Sequence, residues 1–205
     1  MKQTKRWIAV SYLAAVILWV ILCVSGLVRG AWYESQGLRL HQELAWQDLS
    51  VQSMEPIETG KEGFWYVSTD GDPQIHWTGN AYLETVELDV LHTTPGLSVV
   101  LYWREPGQAD FSSRQSVYAV QTEQGKYRFD LGGKQVEEIR IDPDSVGGVI
   151  TRFDGVELNP AKPWYEAFKP TTTGMVLFAV LPLAAAAAVW EGCSILKTLS
   201  FKKEK

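Results

Sequence analysis

Cysteine is almost missing from this chain. Only Cys23 and Cys193 occur among 205 residues. Both fall within or at the end of long apolar runs, so the stretch between them has no disulfide framework. That stretch must stand on its own hydrophobic core, which its size permits. Histidine is nearly as scarce. His41, His76 and His92 lie far apart in sequence, without metal-ligand spacing, and no zinc centre is expected. No G-x-S-x-G, H-E-x-x-H, Walker or dinucleotide-binding motif occurs. Glycoside hydrolysis needs two carboxyls about 5–10 Å apart. With 22 acids between Gly30 and Pro170, some pair always qualifies by chance, so none is singled out. No catalytic residue is assigned, and the chain reads as non-enzymatic.

Charge is missing from two stretches. Trp7–Val28 holds 22 residues without a formal charge, and Thr171–Trp190 another 20. At about 1.5 Å rise per residue, either run can cross a hydrocarbon core of about 30 Å as a helix. The first exceeds the usual secretory signal core. Arg29 and Leu22 also stand where cleavage sites need small residues, so it reads as an uncleaved anchor. Lys2, Lys5 and Arg6 precede the first run. Lys197, Lys202, Lys203 and Lys205 follow the second. Basic flanks favour the cytoplasmic side. The expected layout is therefore a cytoplasmic tail (1–6), a span (7–29), an extracytoplasmic domain with juxtamembrane segments (30–170), a second span (171–196) and a cytoplasmic tail (197–205). A two-span plasma-membrane protein follows. The middle carries 22 acids against 11 Lys and Arg, a net charge of 22 − 11 = 11 negative. Such a surface argues against nucleic acid, whose phosphates need cations. The cysteine-free outer domain suits a bacterium.

Helical periodicity is also absent between the two runs. Period-two alternation takes its place. It is clearest in Tyr82–Trp103, which predicts two consecutive strands around a Thr93-Thr94-Pro95-Gly96 turn and a central ladder built from them. Val86, Leu88 and Val90 share one face of the first strand. Leu97, Val99, Leu101 and Trp103 share one face of the second. Further strands are expected at 63–68, 74–78, 116–122, 127–131 and 139–142. Met54-Glu55-Pro56, Gly79-Asn80 and Gly132-Gly133-Lys134 should break or turn the chain. Val149, Thr151 and Phe153 alternate, and Val156 and Leu158 resume out of phase, which predicts a bulge near Gly155. Residues 34–46 suit a short helical turn. About nine short strands at such spacing argue for a mainly β fold: an antiparallel, jelly-roll-like β-sandwich flanked by two transmembrane helices.

The stretch RIDPDSVGGVI (Arg140–Ile150) joins a strand end, a Gly-containing loop and a final strand. It resembles the C-terminal edge of bacterial β-sandwich domains of the carbohydrate-binding-module kind, which occur with membrane glycosyltransferases of surface-polysaccharide assembly. STDGDPQIHW (Ser68–Trp77) is similar to an early segment of such domains. The resemblance covers about residues 48–158 and implies glycan binding.

Aromatic faces stack on sugar rings. Trp65, Tyr66 and Trp77 flank the Asp70–Asp72 loop, so these five residues form the candidate glycan site. Asp142 and Asp144 form a candidate Ca²⁺ site, because carboxylate oxygens suit hard cations and such modules often carry one. No other cofactor is expected. In the second run Pro182 can kink the helix, and Ala184–Ala188 offers a small-residue packing face. The expected function is a membrane-anchored accessory that binds glycan during envelope assembly. Its expected partners are the lipid bilayer, a glycan, and a glycosyltransferase, a polymer exporter or a second copy. The alternative is a structural or sensory subunit whose sandwich binds protein.

Overall fold

The structure is a computed structural model that describes residues 2–93 and 98–202. It divides into two compact units: residues 1–29 with 163–205, and Gly30–Lys162.

The first unit is a pair of long helices. Helix α1 runs Lys2–Ser35 and helix α2 runs Thr172–Lys202. Each contains a stretch long and apolar enough to cross a membrane. They pair antiparallel. The Tyr12 ring meets Phe178, and the Tyr12 hydroxyl donates to the Ala179 carbonyl at 2.8 Å. Trp19, two turns on, meets both Phe178 and Phe168 edge-on. From Thr172 to Trp190 the α2 residues turned from the surroundings are Gly174, Phe178, Pro182 and Ala186, each four residues from the last, and Cys193 follows further on. A period of four puts them in one stripe. Pro182 thus belongs to the packed face, but Ala184 and Ala188 are exposed and Ala186 is the buried alanine. The Ala run has small residues in every phase, so the sequence alone could not select the phase.

The second unit is an antiparallel β domain with, among the described residues, ten strands: β1 Gln42–Leu44, β2 Ser50–Gln52, β3 Met54–Pro56, β4 Phe64–Ser68, β5 Gln74–His92, β6 Val100–Arg104, β7 Ser116–Tyr118, β8 Val120–Glu123, β9 Lys126–Asp142 and β10 Ile150–Leu158. The sandwich follows from two strands longer than the sequence suggests. β5 has 19 residues and β9 has 17, and they pair with each other from Ile75↔Ile141 to Asp89↔Lys126. Gly79-Asn80 does not end β5, and Gly132-Gly133 does not form a hairpin. Both pairs are bulges inside the ladder. Between Thr78↔Glu138 and Ala81↔Val136, Gly79 and Asn80 oppose Glu137 alone. Between Leu83↔Lys134 and Thr85↔Asp130, residues 131–133 oppose Glu84 alone. Extra residues on one strand bend it and increase its twist. Gly132 and Gly133 adopt φ of 70° and 80°, which side chains disfavour, and a Cβ on Gly133 would overlap the Tyr82 hydroxyl.

The bends divide the ladder into two halves with different neighbours. The first half of β5 and second half of β9 lie between β2 and the β6–β7 pair. The second half of β5 and first half of β9 lie between β10 and β8, with β1 and β4–β3 beyond β10. One hydrophobic core joins them. Ile75, Trp77, Leu101, Ile139 and Ile141 come from the first half, and Val86, Leu88, Phe129, Phe153 and Val156 from the second.

Several expectations change here. The strands of the Tyr82–Trp103 stretch are not partners, because β9 lies between β5 and β6. The expected turn residues Thr94–Gly96, and Leu97, lie outside the described residues, as do residues 203–205. Met54–Pro56 is an edge strand, where proline's missing N–H is tolerated. Ala119 divides the 116–122 strand in two. Within residues 34–46, α1 continues to Ser35 and β1 follows. The bulge at Gly155 stands where the phase change puts it. The last strand of the β domain is followed by Asn159, buried with φ at 48°. Its side chain donates to the Leu40 and Tyr82 carbonyls at 2.8 and 2.9 Å and accepts from the Glu84 amide at 2.7 Å.

Candidate functional site

Alternation that buries Ile75 and Trp77, Ile139 and Ile141, and Leu101 and Trp103 turns their neighbours outward. The register then lines those neighbours up. His76 stands opposite Arg140, Arg140 opposite Tyr102, and Glu138 opposite Arg104. The result is a half-buried polar face across β5, β9 and β6.

Its members are joined by hydrogen bonds. Glu138 Oε2 accepts from Arg104 at 2.8 Å, and Oε1 lies 3.0 Å from His76 Nδ1. The other imidazole nitrogen is 2.9 Å from Gln74 Oε1, and the Gln74 amide donates to Asp72 at 2.6 Å. Arg140 donates to both oxygens of Asp142, at 2.6 and 2.8 Å, and to Asp72 at 2.6 Å. Its guanidinium lies 5.4 Å from the centre of the Tyr102 ring, a cation–π arrangement. Phe111, from the loop after β6, meets His76 edge-on at 6.0 Å. Burial pushes the Asp142 carboxyl above its ordinary range, and the Arg140 pair offsets only part of that.

Of the expected sugar platform, only the acids are outside. Tyr66 is 1% exposed and Trp77 8%, both in the core. Trp65, 7% exposed, is covered by its own loop: its indole N–H donates to the Glu62 carbonyl and the Lys61 ammonium lies over the ring. None of the three rings presents a free face to a sugar. Side chains this large and apolar are drawn to the core whenever alternation allows it. Asp70 caps its own turn, accepting from the Asp72 amide and the Ser53 hydroxyl, which hold its carboxyl below the ordinary range.

The two loops chosen from the sequence do meet. A Cβ on Gly147 would lie 3.1 Å from the Asp70 backbone, and Gly148 donates to the Ser68 carbonyl at 2.6 Å. Arg140 ties Asp72 to Asp142 across them. Asp142 and Asp144 part company, however. Asp142 is taken by Arg140. Asp144 is 4% exposed, with Oδ1 accepting from the Ser145 amide at 2.6 Å and Oδ2 without a hydrogen-bond partner. Among the described residues, no three His, Cys, Asp or Glu side chains gather as a metal cluster.

Sequence reasoning missed Tyr102, Arg104, Phe111, Glu138 and Arg140. The signal was the polar half of each alternating strand, but only the order β5–β9–β6 shows that those halves adjoin.

No family model matches the chain, and no curated protein matches it. Solved structures do. The chain is similar to a low-affinity xylan-binding module, CBM86, from Roseburia intestinalis, at 12% identity over 58% of this chain and 95% of that one, TM-score 0.38. It is similar to a family 6 carbohydrate-binding module from Clostridium cellulolyticum solved with xylose, at 7% identity over 58% and 97%, TM-score 0.42. It is also similar to a chitosan-binding module from a Paenibacillus chitosanase/glucanase, at 12% identity over 58% and 98%, TM-score 0.42.

Proposed function

We propose that this protein is a membrane-tethered, non-catalytic glycan-binding accessory, and that its binding surface is the outward face of β5, β9 and β6. One observation carries the reading. Tyr102 and Phe111 lie within a bonded set of donors and acceptors: Gln74, His76, Arg104, Glu138 and Arg140. Sugars present apolar C–H faces and hydroxyls that both donate and accept, so they need rings and fixed polar groups together. Every cation here already faces an acid, which favours neutral sugars over anionic polymers. The basic flanks of the two apolar helices support cytoplasmic termini and an extracytoplasmic β domain. Service to envelope glycan assembly, beside a glycosyltransferase or polymer exporter, fits such a tethered binder.

The full-length protein in mild detergent should bind neutral glycans on an array. Tyr102→Ala should weaken that binding about tenfold, a loss of about 1.4 kcal/mol, with little change in thermal unfolding. Absence of binding to any neutral glycan by the folded protein would refute the reading.

A further inference from the structure

Among the described residues of the β domain, Tyr118 is the most exposed large apolar side chain, at 70%. Two residues on, Val120 is 61% exposed. Val117 and Ala119 pack against the core, so alternation turns Tyr118 and Val120 outward together. No ring or hydrogen-bonding group meets the Tyr118 side chain among the described residues. One exposed apolar residue is ordinary. Its place on the sheet is not. Tyr102 stands between Arg140 on β9 and Ser116 on β7, and Val100 stands between Asp142 on β9 and Tyr118 on β7. Tyr118 therefore belongs to the outward face assigned to glycan, one strand beyond Tyr102 and one step along it. Diagonal neighbours of this kind lie about 7–8 Å apart. Val100, on the same face, is buried and gives the space between the two rings an apolar floor. β7 is the last strand on this side of the sheet, so no strand covers Tyr118 from beyond.

The face thus has two lanes that run along the strands. The lane on β9 and β5 is polar, and its groups are fixed by one another: Arg140 by Asp142, and Glu138 by His76 and Arg104. The lane on β6 and β7 carries the rings, and its Ser116 hydroxyl is already given to the Ser113 carbonyl at 3.0 Å. A single sugar covers one ring. Contact with both, at their separation, requires a second sugar of the same molecule. We propose that the glycan site extends over Tyr118 and takes a linear neutral oligosaccharide lying along the β6–β7 edge, rather than a single terminal sugar. One sugar stacks on Tyr102 with its hydroxyls toward Arg140 and Asp142, and a further sugar of the chain stacks on Tyr118. The proposal rests on the glycan reading of this face and adds to it a residue and a class of ligand.

The experiment is calorimetric titration of the full chain in mild detergent. The probes are glucose, xylose, galactose and N-acetylglucosamine, each beside its own linear tetrasaccharide, with the single sugars also used as competitors. At least one tetrasaccharide should bind about tenfold more tightly than its single sugar. Tyr118→Ala should remove that gain and leave the binding of the single sugar unchanged. Tyr118→Phe should keep the gain, because the ring and not the hydroxyl makes the contact. Both variants should unfold at the parent temperature, since the side chain is exposed. A tetrasaccharide that binds no better than its single sugar, or a gain that survives Tyr118→Ala, overturns the extension and leaves the glycan reading standing. Array binding to other neutral glycans with none of the four tetrasaccharides bound has the same consequence. If the folded protein binds no neutral glycan at all, the reading and its extension fall together.

Discussion

The two halves of the β5–β9 ladder carry opposite kinds of outward face. On the first half, charges alternate across strands: Arg104 meets Glu138, and Arg140 meets Asp72 and Asp142. On the second, Glu43 stands directly opposite Glu157, and Glu157 directly opposite Glu87. Only beyond Glu87 does a cation, Arg128, take the facing position. The same two strands build both faces, so strand identity does not explain the difference. The neighbours brought by the bends do. β6 supplies Arg104 and Tyr102 to the first face, while β10 and β1 supply more acid to the second. A sheet that stabilised itself on both faces would pair its charges on both. Here the first face pairs its charges around Tyr102 and Phe111, while the second keeps a row of unpaired acids, and the proposed binding surface is the paired one.

The comparison can be broken most severely at the bend. Gly133→Val forces a β-branched residue into positive φ and against the Tyr82 hydroxyl, so it should cost about 3 kcal/mol and lower the unfolding midpoint in urea. Both faces should be lost together. Next comes Arg140→Met, which leaves Asp72 and Asp142 unpaired. With the pair partly solvated, a loss of about 1–3 kcal/mol is expected, together with loss of glycan binding, while the acidic face is unaffected.

His92 provides a pH test in the second half. Burial lowers its pKa below the ordinary 6.5, although the charge of Asp144 pulls the other way. One ring nitrogen bonds Thr151 at 2.8 Å, and the other has no partner. The unfolded chain therefore takes up a proton below pH 6.5 that the folded chain resists. Stability should fall as pH drops from 6.5 toward the lowered folded value, by no more than about 1.4 kcal/mol per pH unit and less for a half-buried ring. Urea titrations at several pH values should show this slope, and His92→Gln should flatten it. The smallest effect sharpens the contrast. Glu157→Gln removes the middle of the acidic row and should raise stability by a few tenths of a kcal/mol, a gain that shrinks at high salt.

Much of this could be read from residue order. Val86, Leu88 and Val90 alternate so cleanly that their inward face was evident, and all three are fully buried. The Gly155 bulge showed in the phase change after Phe153. The site was less legible. Trp65 and Trp77 stand in the sequence as aromatics beside an acidic loop, but the same apolar surface that suits a sugar suits burial better. Tyr102, in contrast, is flanked by Leu101 and Trp103, and its outward position gains meaning only from Arg140 on the next strand. Gly132-Gly133 read as a turn because glycine pairs usually are one. Inside a ladder held on both sides, the same positive φ values make a bulge.

The sequence by itself determined two apolar helices, a β domain between them, and which side of most strands faces inward. These are local properties, set by run length and by the two-residue period of a strand. Tertiary structure decided that β9 lies between β5 and β6, that the ladder bends into two half-sheets, and that Ala186 rather than Ala184 or Ala188 packs in α2. Each of these depends on which distant segment supplies the hydrogen bonds or the opposing surface. Alternation within a single strand carries no information about its neighbour.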